Sequence, residues 1–309
     1  MKKVGFIFPG QGSQTIGMGK EFFENFDIAK EMVVNASKRL NIDFEELLFK
    51  ENANLEKTEY TQPAILLVSA IALEVLKTHY KLTPTFALGH SLGEFSALVS
   101  VGALDYLDAI ELVHKRGLFM SKACEGVGAG MMALLGLEDS VVEEICKQQR
   151  KNGKKVWAAN YNIDGQLVLA GIKADLEELV DIFKAAGAKR AIVLNMSVAS
   201  HCPLLESAVR PLKEELNRFI KDSFIAPVVS NVTSNEYNSK DEAITLLAEQ
   251  LTKPVLYKQS IAKYDEKVDC FIEFGNGAVL KGLNKKLTTP TYNINNIDTL
   301  NKTLEVLNG

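Results

Sequence analysis

The chain is poor in several features that would mark other classes of protein. Four cysteines, Cys124, Cys146, Cys202 and Cys270, are spread far apart among 309 residues, and none forms a C-x-x-C pair. That excludes a zinc knuckle and a thioredoxin-like pair, so no metal site is expected. Reduced thiols in a cytoplasmic setting are the plain reading. Positive charge is also short: 35 Lys and Arg against 39 Asp and Glu give a net charge of −4. A nucleic-acid partner held by bulk charge is therefore not expected, which leaves only local basic patches. No apolar run reaches the ~20 residues of a membrane span. Val4–Phe8 follows Lys2 and Lys3 but is broken at once by Pro9-Gly10, too short for a signal-peptide core. N-x-S/T matches such as those at Asn195, Asn231 and Asn301 then read as chance. There are no internal repeats or low-complexity tracts.

What is present is globular. Hydrophobic residues at 47% and charged residues at 24% exclude a disordered, collagen-like or coiled-coil chain. At ~150 residues per domain the length allows two domains, or one large domain with an insertion. Val4–Phe8 and Phe86–Leu88 read as short buried strands. Thr61–Tyr80 reads as a helix apolar nearly all round, hence deeply buried. Helices are expected from Ser91 to Val101 and over Asp105–Cys124.

From Met131 the rhythm changes to β-α-β-β-α-β, the pattern of a ferredoxin-like unit. Its strands are expected at Met131–Leu135, Lys155–Ala159, Leu167–Ala170 and Arg190–Leu194. Its helices are expected from a Ser140–Glu143 capping box and over Asp175–Ala186. The α/β pattern then resumes with a helix over Pro203–Phe219, a strand over Val228–Val232 and a helix over Ala243–Leu251. Strands at Cys270–Phe274 and Thr291–Ile294 flank a helix from Ala278. The expected fold is a large α/β-hydrolase-like domain with a parallel sheet, residues 1–125 and 198–309. A ferredoxin-like subdomain, residues 126–197, is inserted in it.

Gly89-His90-Ser91-Leu92-Gly93 fits G-x-S-x-G between a strand and a helix, the setting of a nucleophile elbow. There a serine hydroxyl stands exposed beside backbone N–H groups able to hold an oxyanion. Ser91 and Glu94 also fit a capping box, which would make Ser91 only an N-cap. Four histidines can be sorted as partners. His79 falls at a helix end, His114 lies within a helix, and His90 adjoins Ser91. His201 sits where the insert rejoins the large domain, a common place for a site. Arg116 lies among Leu112, Val113, Phe119 and Met120 on its helix. A guanidinium there grips a carboxylate through its planar fork or pairs with an internal acid. Gly10–Gly17 lacks the third glycine of G-x-G-x-x-G, because Thr15 stands there. A turn bringing backbone N–H groups toward a site fits that stretch better.

Together these residues resemble the bacterial malonyl-CoA:acyl carrier protein transacylase family. Phe8–Gln14 is similar to its opening strand and loop, Gly89–Glu94 to its elbow, and Ser197–His201 to its histidine segment. Asn160, Asn162, Gly165-Gln166, Gly187–Arg190, Gln250 and Phe274–Gly277 also fall in family order along the whole chain. The resemblance implies that Ser91 attacks the malonyl thioester and His201 takes its proton. It implies backbone N–H groups of Gln11 and Leu92 as the oxyanion hole, Arg116 on the malonyl carboxylate, and the Gln250 backbone carbonyl orienting His201. It further implies Lys189 and Arg190 as a basic edge for the acidic carrier, and a monomer that uses malonyl-CoA as substrate with no cofactor. Asn276 and Ala199 stand where the family commonly has proline. Ser200 also occurs in relatives that take methylmalonyl groups, and Leu92 in place of glutamine favours malonyl. An ordinary α/β-hydrolase esterase fits less well. Its histidine comes late in the chain, whereas here another strand–turn–helix unit follows His201. A carrier-binding protein without activity would have lost Ser91 or His201.

Overall fold

The computed structural model describes residues 2–309. Among the described residues ten strands form two sheets. The strands are β1 (Val4–Phe8), β2 (Phe86–Gly89), β3 (Ala129–Leu135), β4 (Val156–Ile163), β5 (Gln166–Ile172), β6 (Arg190–Val193), β7 (Val228–Val229), β8 (Glu236–Tyr237), β9 (Cys270–Phe274) and β10 (Thr291–Ile294).

The larger sheet has the order β10-β9-β1-β2-β7-β8. Its pairs are parallel except β7–β8. Helices on both faces bury such a sheet, which is why β1 and β9 are buried at every position, β1 as an unbroken apolar run and β9 with Glu273 as its one charged residue. β1 lies between β2, which follows it, and β9, from near the end of the chain. The strand order therefore reverses at β1, and ligand crevices of α/β sheets open at the carboxyl ends of strands at such points. The Thr58–His79 helix packs on this sheet; it is long and apolar enough to cross a membrane, yet most of it is buried inside the protein.

The smaller sheet has the order β4-β5-β3-β6 and is antiparallel throughout. Alternation along β3 divides its side chains between two cores. Met132 and Leu134 join Val142, Cys146, Leu176, Leu179 and Phe183 of the two helices over one face, Asp139–Lys151 and Lys173–Ala185. Ala129 and Met131 join the main core on the other.

Local outcomes differ from the sequence pattern where tertiary contacts compete. The Asp139–Lys151 helix begins ahead of the expected capping box, after Glu138, with no side-chain cap. Glu143 instead accepts from the Tyr161 hydroxyl at 2.6 Å. β4 runs further than expected, through Asn160 and Asn162, whose side chains line a cleft, and β5 runs on to Ile172. Pro203–Leu205 is a 3-10 turn ahead of the Glu206–Phe219 helix. β7 stops at Val229, and Ser230–Ser234 becomes a turn, buried at Ser230, Asn231 and Ser234, held by the Ser234 N–H on the Ser230 carbonyl at 2.9 Å. The helix expected from Ser91 begins at Gly93.

Candidate active site

The turn after β2 sets the first functional group. Ser91 has φ 54°, in the left-handed region, so it is not a helix N-cap. A Cβ on Gly89 would lie 1.8 Å from the Gly93 carbonyl carbon, and one on Gly93 would lie 2.0 Å from the Phe8 carbonyl oxygen. Only glycine fits at either flank, and the tight turn lifts the Ser91 hydroxyl out of the sheet. The Ser91 N–H donates to Asn231 Oδ1 at 2.6 Å, and Asn231 Nδ2 donates to the Gly89 carbonyl at 2.6 Å. Asn231, in sequence only a chance N-x-T match, thus clamps both sides of the elbow from the turn after β7.

His201 reaches the same point from the 200–203 junction. Its Nε2 is 2.7 Å from Ser91 Oγ. Its Nδ1 is 2.6 Å from the Gln250 backbone carbonyl. A carbonyl can only accept, so Nδ1 carries the proton and Nε2 is free to take one from the serine. His201 is 2% exposed and has φ 59°. Burial, reinforced by the nearby Arg116 cation, pushes its pKa down to about 3. The imidazole is therefore neutral, a base, in the resting protein.

Arg116 comes from the Tyr106–Cys124 helix and is 2% exposed. Its Nη1 donates to Gln62 Oε1 at 2.7 Å, and its Nη2 to Gln250 Oε1 at 3.0 Å and Ser91 Oγ at 3.5 Å. The guanidinium carbon lies 5.3 Å from the Phe95 ring centroid, a cation–π contact. Among the described residues its Nε has no partner, and its side-chain partners are neutral oxygens. The internal ion pair that the sequence left open is absent at hydrogen-bond range. Burial lowers the Arg116 pKa to about 10, so the cation persists at neutral pH.

These groups line one cleft of about 360 Å³ between the two sheets. Gln11 and Leu92, at the carboxyl ends of β1 and β2, line it beside Ser91. Gln11 Oε1 accepts from the Thr58 hydroxyl at 2.9 Å, which in turn accepts from Gln62 Nε2 at 2.9 Å. The Gln11 loop is thereby tied to Arg116. Asn276 Nδ2 donates to the Ser13 carbonyl at 2.6 Å and to Thr15 Oγ1 at 2.9 Å, so the asparagine standing for proline pins the same loop. The small sheet supplies Met131, Asn160, Asn162 and Val168. His90 Nε2 donates to Asn162 Oδ1 at 2.8 Å, whereas the Ser91 hydroxyl is met by His201. His79 is exposed, and His114 bonds the Glu59 carbonyl at 2.7 Å. Lys189 and Arg190 are exposed at the start of β6 and do not line the cleft.

Sequence reasoning passed over Glu94, Gln62, Asn231 and Tyr237. Glu94 was visible in the elbow motif. The others carry no local signal, because their roles depend on contacts between segments far apart in the chain.

The chain matches the family model described as acyl transferase domain over residues 5–294. It is 41% identical over 290 residues to the malonyl CoA-acyl carrier protein transacylase of Bacillus subtilis, covering 93% of this chain and 91% of that one. Its fold is similar to the crystal structure of malonyl-CoA:acyl carrier protein transacylase from Helicobacter pylori. That match has a TM-score of 0.96 and 44% identity, over 100% of this chain and 99% of that one. A malonyl-transacylase solved in complex with a type II PKS acyl-carrier protein matches at a TM-score of 0.94 and 34% identity, over 98% and 99% of the two chains. The elbow, the buried arginine and the two-sheet fold sit in a chain that belongs to the malonyl-CoA:acyl carrier protein transacylase family of acyl transferases.

Proposed function

We propose that this chain moves a malonyl group from malonyl-CoA to the phosphopantetheine thiol of an acyl carrier protein in fatty acid synthesis, through an acyl-enzyme on Ser91. The observation that carries the malonyl assignment is Arg116: a buried, desolvated fork with an unpartnered Nε, within 3.5 Å of the nucleophile. Such a cation calls for an acyl group that ends in a carboxylate. An esterase has no use for it.

His201 Nε2 takes the Ser91 proton as Oγ attacks the thioester carbonyl. The backbone N–H groups of Gln11 and Leu92 receive the oxyanion. The imidazolium, held by the Gln250 carbonyl, forms only beside that negative charge, which offsets the burial that otherwise keeps it neutral. On collapse the C–S bond breaks, the proton passes to the leaving sulfur, and CoA departs with malonyl on Ser91. The carrier thiol then repeats the sequence in reverse: its proton goes to His201, its sulfur takes the malonyl group, and Ser91 Oγ is reprotonated. Water is the competing nucleophile, and the carboxylate clamp holds the acyl-enzyme for the thiol.

Lys189 and Arg190 form the carrier-docking edge in this reading. Residues 126–197 act as a subdomain that roofs the cleft over a large domain of residues 1–125 and 198–309. The protein works as a cytoplasmic monomer, without nucleic acid or membrane; its four cysteines are free.

The test is covalent labelling. Malonyl-CoA with a radioactive malonyl group should label the wild-type chain through denaturation, and a carrier thiol should discharge the label. Ser91→Ala should leave no label. Labelling that survives this substitution refutes the nucleophile, and a wild type that releases free malonate but never acylates a carrier refutes the transferase.

A further inference from the structure

The mechanism leaves two buried acids unused: Glu273 on β9, which accepts from the Leu280 and Lys281 N–H groups, and Glu94, which lies behind the site. Glu94, at the start of the Gly93–Ser100 helix, is 0% exposed. Its Oε1 accepts from the Tyr237 hydroxyl at 3.0 Å. Its Oε2 accepts from the Asn231 N–H at 3.1 Å and from Gln250 Nε2 at 2.7 Å. Gln250 is a two-ended link, because its Oε1 accepts from Arg116 Nη2 at 3.0 Å. A carboxylate, a carboxamide and a guanidinium therefore stand in line, and the guanidinium faces the cleft.

The surroundings leave Arg116 one resident anion. β1, β2 and β7 carry only apolar residues and glycine. The Thr58–His79 helix meets the guanidinium with neutral Gln62. The charged or titratable groups acting on Glu94 are Arg116 and the Tyr237 phenol, which Glu242 also influences. His201 in turn feels Arg116 and His90.

From this geometry we infer that Glu94 is the resident counter-anion of Arg116 and a specificity-determining residue for acyl groups bearing a carboxylate. A substrate carboxylate entering the cleft takes over the guanidinium, and Glu94 accepts one proton from the medium. One buried cation cannot neutralise two buried carboxylates, and the acid farther from the fork is the one that gives up its charge. The balance is close: burial raises the Glu94 pKa to about 7, against the opposing pull of its three hydrogen bonds and Arg116. Losing the pull of Arg116 moves it higher. Binding linked to proton uptake weakens as pH rises above the free-enzyme value, by up to about tenfold per pH unit for one proton. This inference rests on the malonyl-transfer reading.

The experiment is the pH profile of kcat/KM for acylation by malonyl-CoA, from pH 6 to 9. The wild type should lose up to about tenfold per unit above pH ~7. Glu94→Gln should be flat and faster than wild type at pH 8.5. Its carboxamide oxygen can keep the Asn231 and Gln250 bonds, and its NH2 can donate to the Tyr237 oxygen, so only the charge is lost. Tyr237→Phe removes one donor to the carboxylate, far from the substrate, and should move the break to higher pH. It serves alone if Glu94→Gln does not fold. A flat wild-type profile, or a fall that neither variant shifts, overturns the role of Glu94 while malonyl transfer stands. A wild type that malonyl-CoA does not acylate at any pH overturns the reading beneath it.

Discussion

In the proposed malonyl transfer, Arg116 is the single side chain that separates two kinds of acyl group. Its side-chain partners are neutral oxygens of Gln62, Gln250 and Ser91, which place the fork without satisfying its charge. Arg116→Ala should therefore cost malonyl-CoA about 2–5 kcal/mol in kcat/KM, with acetyl-CoA little changed. The ratio of the two specificity constants, measured with active-site titration, is the readout. Equal losses would assign the arginine to the scaffold instead. Sequence made Arg116 conspicuous because a charge among Leu112, Val113, Phe119 and Met120 needs a reason. It could not decide between a substrate and an internal acid. That choice depended on where Glu94 lies, and Glu94 reaches the fork only through Gln250, on a segment more than 130 residues from Arg116.

Among the elements, the elbow shows a backbone constraint shared between strands. β1 and β2 are paired in parallel, with Phe8 opposite Gly89. Their exits crowd so closely that Gly93 sits against the Phe8 carbonyl. Gly93→Ala would drive a Cβ to 2.0 Å from that oxygen. Since backbone must then shift, the expected loss is about 1–3 kcal/mol or more of stability, seen as a lower denaturation midpoint, together with impaired acylation. A variant as stable and active as wild type would show that the turn is not fixed there. The motif and its flanking glycines were legible because this constraint lies within a few residues. The expected Ser140–Glu143 cap was not realised, because Glu143 is drawn to Tyr161 across the small domain. Likewise β7 ends early so that Asn231 can turn under the elbow.

Over the whole molecule, two sheets of different kinds meet around one cleft. Val255 bridges them: its side chain packs in a core with Ile7, Leu88 and Val229 of the larger sheet, the Tyr161 N–H of β4 donates to its carbonyl at 2.9 Å, and its own N–H donates to the Ala159 carbonyl at 2.8 Å. Lys258 adds ion pairs to Asp139 and Asp164 of the small sheet's surroundings. This fixes Asn160 and Asn162 over the elbow. The exposed basic edge at the start of β6 lies outside the cleft, so it should act on the macromolecular partner alone. Replacing Lys189 and Arg190 with Glu should slow transfer to the carrier several-fold at low salt, less at high salt. Acylation by malonyl-CoA should be unchanged. Stopped-flow measurement of each half-reaction tests this, and an equal fall in both would remove the docking role.

The strands and helices read from apolar pattern, the inserted unit and the tight turn at Ser91 were determined by the sequence itself, whereas the helices at Asp27–Leu40, Tyr257–Tyr264 and Ile297–Asn308 and the short strand β8 were not read from it. Apolar periodicity, glycine and the elbow spacing act over short distances and leave a local trace. Tertiary structure alone decided which groups share the cleft and how the buried charges balance. Ser91, Arg116, His201, Asn231 and Gln250 come from five separate segments, and their hydrogen bonds and the energy of a buried cation depend on distance in space rather than along the chain.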